Sequence, residues 1–125
     1  MLSASGKPDI TGSSDPNFRG DAARWNPEDL LVASLSACHQ LWYLHLCSTN
    51  DIVVTAYTDH AGGEMALAAD GGGEFTSVTL HPHVTIQSGD AAKARALHHE
   101  AHRLCFIARS VSFPVDCQPT IEVQI

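Results

Sequence analysis

The chain has 125 residues, enough for one hydrophobic core and too few for two ordinary domains. An apolar fraction of 44% excludes intrinsic disorder, and a formal net charge of -7 argues against nucleic acid or an anionic membrane as a partner. No cationic segment followed by an apolar run opens the sequence, so a secretory signal is not expected. The four cysteines then belong to a reducing, cytoplasmic setting, where a pair is more often catalytic or metal-bound than a structural disulfide.

Residues 1–25 are dense in Gly, Pro, Ser, Asp and Asn and read as an extended arm, with Gly12 to Asn17 as the clearest turn cluster. Ile10, Phe18 and Trp25 are too few to build a core, so the arm is expected to lie across residues 26–125, the helix and sheet core of a single domain. Lys7, Arg19 and Arg24 are the only Lys or Arg before Lys93. A fixed positive charge near the middle of the chain must therefore come from this arm, from a later helix or from a second copy.

A long helix is expected from Asn26 to Cys47. Asn26 is a good N-cap, Pro27 suits the first helical position, and Glu28 and Asp29 put negative charge at the positive end of the helix dipole. No Gly or Pro interrupts the run, and apolar residues fall on every side of the cylinder, the pattern of a helix enclosed by other structure. Ser34, Ser36, His39, Gln40 and His45, together with the missing basic flanks, argue against a membrane span.

Beyond a break at Ser48 to Asp51, Ile52 to Thr58 read as a strand, Gly62-Gly63 as a turn, and Glu64 to Ala69 as a weaker extended piece. Asp70 to Gly73 form a hairpin turn. Phe75 to Gln87 then alternate, with Val78, Leu80, Pro82, Val84 and Ile86 on the core face. Pro82 lacks a donor N–H, which predicts an edge strand or a bulge. Asp90 is the N-cap of a second, amphipathic helix expected to run to about Ser110, placing Cys105 in its last turns and Arg109 one turn further on the same side. Phe113 to Ile125 close the chain as a strand.

Cys38 and Cys47 are nine residues apart on one helix, hence ~13 Å apart along its axis and on opposite faces. They cannot pair with each other. Cys47 and Cys117 share the apolar character of their elements and read as small packed hydrophobes. Cys38 and Cys105 remain, each on a helix and able to meet only through tertiary structure. A reactive Cys38 thiolate needs a nearby cation, and Arg109, His39, Arg19 and Arg24 are the candidates. Of the eight histidines, His98 and His102 have metal-sharing i,i+4 spacing and His81 and His83 share a strand face. Without a His-Glu-x-x-His or paired Cys-x-x-Cys motif the solvated reading is favoured and no metal is expected. Inside the apolar helix, His39 and His45 read as hydrogen-bonded core residues.

The run Asn26-Pro27-Glu28-Asp29-Leu30-Leu31, followed by Ser36-Ala37-Cys38 and by Ala101-His102-Arg103-Leu104-Cys105, resembles the OsmC/Ohr family of bacterial thiol-dependent peroxidases over roughly residues 19–125. The resemblance implies an α+β fold, two central helices packed on a curved, mainly antiparallel sheet, in an intertwined homodimer. It implies reduction of organic hydroperoxides, with Cys38 as peroxidatic and Cys105 as resolving cysteine, no bound cofactor, and an external dithiol, in the family often lipoyl-linked, as reductant. Glu28 matches the family's glutamate, which works with an arginine at the thiolate. At ~15 Å from Cys38 along one helix it would serve the cysteine of a partner subunit. The family's arginine lies on an N-terminal strand that this chain is expected to lack, and neither Arg19 nor Arg24 matches it. The alternative is a non-catalytic dimeric binding or scaffold domain with inert cysteines.

Overall fold

A computed structural model describes residues 1–124, so Ile125, expected at the end of the last strand, lies outside the described residues. Helix α1 spans Pro27–Ser48 and is started as its sequence requires. The Asn26 side-chain oxygen accepts the Asp29 N–H at 2.7 Å, and Pro27, with no N–H to lose, takes the first position. Asp51, at φ 58, then turns the chain into strand β1, Val53–Asp59.

The buried residues of α1 are Leu35, His39, Tyr43 and Cys47, a single row at four-residue spacing. The other sides are not enclosed within this chain: Leu41 is 70% exposed. Apolar residues all round the cylinder predicted more cover than one copy of the chain supplies.

That row rests on two sheets. Strands β1 and β4 (Pro82–Ser88) are antiparallel, and β6 (Thr120–Val123) joins β4 in parallel. In the second sheet β2 (Gly62–Leu67) and β3 (Gly73–Leu80) form an antiparallel hairpin, to which β5 (Val115–Cys117) adds in parallel. Tyr43 and Cys47 pack with Ile52, Val84, Ile86, Ala94 and Ala101 over the first sheet. Leu35 packs with Val78, Leu80 and Val115 over the second. His39 sits between these two clusters along the helix.

The alternation expected from Phe75 to Gln87 holds, for Val78, Leu80, Pro82, Val84 and Ile86 are all buried. The strand is not continuous, however. It breaks at His81 and passes from one sheet to the other, keeping one parity so that both inner faces lie on the same side. Pro82 opens β4, a place where a missing N–H is tolerated, and β4 is the central strand of its sheet, not an edge. The terminal segment makes the same crossing at Gln118-Pro119, and the Gln118 N–H donates to the Leu80 carbonyl at 2.8 Å beside the first crossing.

Two further expectations shift. Gly62 and Gly63 begin β2 instead of turning the chain, and a Cβ at Gly63 would lie 2.6 Å from the Phe75 ring, which would have to shift. Helix α2 spans Ala91–Leu104, capped by Asp90, and stops six residues before Ser110. Leaving the helix at Cys105 lets Ile107, Val111 and Phe113 reach the second core, which a continued helix would not allow. Arg109 lies instead in a short 3-10 turn, Ala108–Ser110.

The arm pairs mostly with itself, through bridges Leu2 to Ile10 and Gly12 to Trp25, and leaves Phe18 exposed. Gly20 permits no side chain, since a Cβ there would fall 1.5 Å from the Ser14 carbonyl oxygen.

Leu35→Ala is expected to lower stability by about 2–5 kcal/mol, because both sheet and helix atoms would face the cavity. Asn26→Ala should cost about 1 kcal/mol through the lost cap. Urea unfolding midpoints with unchanged slope measure both, and equal effects would contradict this core.

Candidate active site

Cys38 lies on α1 immediately before the buried His39, so it stands at the margin of the packed row and is partly buried. With Leu41, Trp42, His45 and Phe106 it lines an open apolar groove of about 360 Å³. Trp42 follows Cys38 by one turn, and its ring meets Phe106 edge-on with centroids 5.8 Å apart. Phe106 reaches this place because α2 has already ended. His45, expected in the core, is instead exposed at the far end of the groove.

Cys105 is the C-cap of α2, with extended backbone at φ -64 and ψ 118, and its thiol is buried. Burial pushes that thiol up, the Ala108 N–H donating to Sγ at 3.4 Å opposes this, and the neighbouring Cys38 thiol raises it further by hydrogen bonding and charge. Cys105 is thus a near enough neighbour of Cys38 for the two thiols to influence each other, a relation the sequence could only leave unassigned in space.

Glu28 is not brought to them. It lies in the first turn of α1, beside a separate cavity of about 600 Å³ lined also by Phe18, Val32, Met65 and Phe75. Among the described residues no ion pair includes Glu28.

The candidate cations fare unevenly. Arg24 is paired with Asp21 at 3.4 Å, Arg19 is exposed in a left-handed turn at φ 66, and Arg109 is exposed off the helix on which its alignment with Cys105 depended. His39 is a buried core residue, as its setting in the apolar run suggested. Burial lowers its pKa to about 4, against the opposing charge of Asp59, so its ring is neutral and supplies no cation to Cys38.

The partner of His39 is His98, with Nε2 to Nδ1 at 2.9 Å and the rings nearly coplanar. Tyr43 stacks on His98 with centroids 3.8 Å apart and donates its hydroxyl to the Ala94 carbonyl. Burial lowers His98 to about 3. The solvated reading of the α2 histidines therefore fails for His98, whose spacing of four from Ala94 and three from Ala101 was a usable sign that it shares the core face. Cys47 and Cys117 are packed thiols, and burial pushes Cys117 up to about 12.

A family description, OsmC-like protein, matches residues 20–120. An OsmC-like protein of unknown function from Vibrio cholerae O1 biovar eltor is 31% identical with a TM-score of 0.83, the match covering 92% of this chain and 79% of that one. An organic hydroperoxide resistance protein OsmC from Legionella pneumophila shares the fold at 22% identity and TM-score 0.67, covering 88% of this chain and 78% of that one. So does an organic hydroperoxide resistance protein from Elizabethkingia anophelis, at 20% identity and TM-score 0.64, covering 89% and 78%. No curated protein matches the sequence. The α+β architecture, the family match and the Vibrio relative agree, and this chain belongs to the OsmC-like protein family.

Proposed function

We propose that this chain is a thiol-dependent peroxidase acting on organic hydroperoxides. The observation that carries this reading is that Cys38 lines an apolar groove and has the buried Cys105 thiol as a neighbour. The names of the Legionella and Elizabethkingia proteins support it. Leu41, Trp42 and Phe106 favour the organic part of a greasy hydroperoxide over hydrogen peroxide, which gains nothing from apolar contact.

The Cys38 thiolate attacks the terminal peroxide oxygen, a sulfur–oxygen bond forms, the oxygen–oxygen bond breaks, and the alkoxide leaves as an alcohol after taking a proton. Cys38 is then a sulfenic acid. The Cys105 thiol attacks its sulfur, water departs, and a disulfide joins the two helices' residues. An external dithiol, lipoyl-linked in our reading, reduces that bond and leaves as its own disulfide. The raised Cys105 thiol suits the order of events, since it stays protonated while Cys38 reacts first.

Glu28, remote from Cys38 in this chain, would act at the thiol of a second copy in a homodimer. Separating the dimer should then abolish turnover, and a fully active monomer would overturn that role.

The competing reading is a non-catalytic binding or scaffold domain with inert cysteines. One observation favours it: His39 is neutral and Arg24 is paired with Asp21, so neither ionises Cys38.

Treating the reduced protein with cumene hydroperoxide should remove two hydrogens by mass spectrometry and give a Cys38–Cys105 peptide cross-link. Unchanged thiols at modest excess would favour the scaffold. Cys105→Ser should instead accumulate a Cys38 sulfenic acid that dimedone traps, whereas Cys38→Ser should show neither product. Phe106→Ala should lower kcat/KM for cumene hydroperoxide roughly tenfold, the loss of about 1.4 kcal/mol of apolar contact, with little change for hydrogen peroxide.

A further inference from the structure

A second cluster of ligand-type side chains lies away from the groove, and the peroxidase chemistry makes no use of it. His39 of α1, His98 of α2 and Cys117 of β5 each contribute one donor atom, and these three atoms lie within 4.8 Å of one another. His39 Nε2 is 2.9 Å from His98 Nδ1 and 3.9 Å from Cys117 Sγ. Both rings are essentially inaccessible, at 1% and 3% exposure.

His98 meets the cluster through Nδ1, and its other ring nitrogen, Nε2, is buried without a hydrogen-bond partner. The cluster also has a route to solvent. His98 and Cys117 line a cleft of about 430 Å³ together with His99, His102 and Asp116.

We propose that His39, His98 and Cys117 bind a zinc ion, with the fourth position open to the cleft. Two imidazoles and one thiolate are a borderline-soft donor set suited to zinc in a tetrahedral site. The nitrogen pair is closer than the roughly 3.3 Å that two ligands of such an ion span, so the rings part by about 0.4 Å as the metal enters and the hydrogen they share moves to the other nitrogen of the ring that held it. Binding converts the Cys117 thiol to a zinc-bound thiolate and releases one proton to solvent, with no change of oxidation state. His102, one turn beyond His98 and on the wall of the same cleft, has the helical spacing to complete the set. Tyr43, stacked on His98, holds that ring in place.

The consequence is mechanical. The ligands come from α1, α2 and β5, so one ion ties both helices to the sheet that contains β3. It also engages a thiol other than Cys38 and Cys105, which leaves the redox pair free.

Titration of the reduced protein with Co²⁺ reads this site directly. One equivalent should bind with a thiolate-to-cobalt charge-transfer band, and Zn²⁺ should displace it. Cys117→Ser should lose the band, Cys38→Ser should keep it, and His98→Gln should weaken binding at least roughly tenfold. A band that survives Cys117→Ser, or none at saturating Co²⁺, would overturn the proposal. Independently of any variant, Zn²⁺ should raise the thermal midpoint of the wild-type chain relative to EDTA, and an unchanged midpoint would also overturn it.

Discussion

The structure depends on one constraint: a 22-residue helix must bury a single four-residue row across two sheets between which the chain crosses at His81 and again at Gln118-Pro119. At 1.5 Å per residue, α1 is ~33 Å long, enough to reach from the Leu35 cluster over β2-β3-β5 to the Tyr43 and Cys47 cluster over β1-β4-β6. The β3-to-β4 segment crosses between sheets beneath it without changing parity. Helix and strands thereby define one inner side from two separate sheets.

The position of Cys38 follows from that row. One residue earlier than His39, it is turned about a quarter of the way round the cylinder from the buried ridge, where it is neither sealed in nor free in solvent. The early end of α2 has a matching effect. By releasing the chain at Cys105 it buries that thiol beside Cys38 and leaves Phe106 to face Trp42. A thiol pair and an apolar wall thus arise from packing requirements that are local to each helix. Glu28, at the other end of α1, is separated from the pair by the rigidity of the same helix.

Locally encoded features were legible in the sequence. The Asn26 cap, Pro27 at the first turn, the Asp90 cap and the alternation through Val84 each depend on near neighbours, and each has the structure expected. The sheet change at His81, the stop of α2 at Leu104 and the central place of β4 depend on which distant strand each segment meets. Spacing does not carry that information. Cys38 and Cys105 were identifiable as unassigned thiols, and the motif resemblance paired them, but their meeting is a tertiary fact. The His39–His98 contact was less legible still. Its partners are 59 residues apart, and His98 sits beside the exposed His99 and one turn before the half-buried His102, in a run of histidines that conceals its core-facing period.

The claim that the groove beside Cys38 selects the oxidant is most directly tested by single-turnover rates for the wild-type reduced chain with cumene hydroperoxide and with hydrogen peroxide. This account predicts a second-order rate constant roughly 100-fold larger for the organic peroxide, equivalent to about 2.7 kcal/mol and within reach of burying one aromatic ring. Equal rate constants for the two oxidants would contradict it.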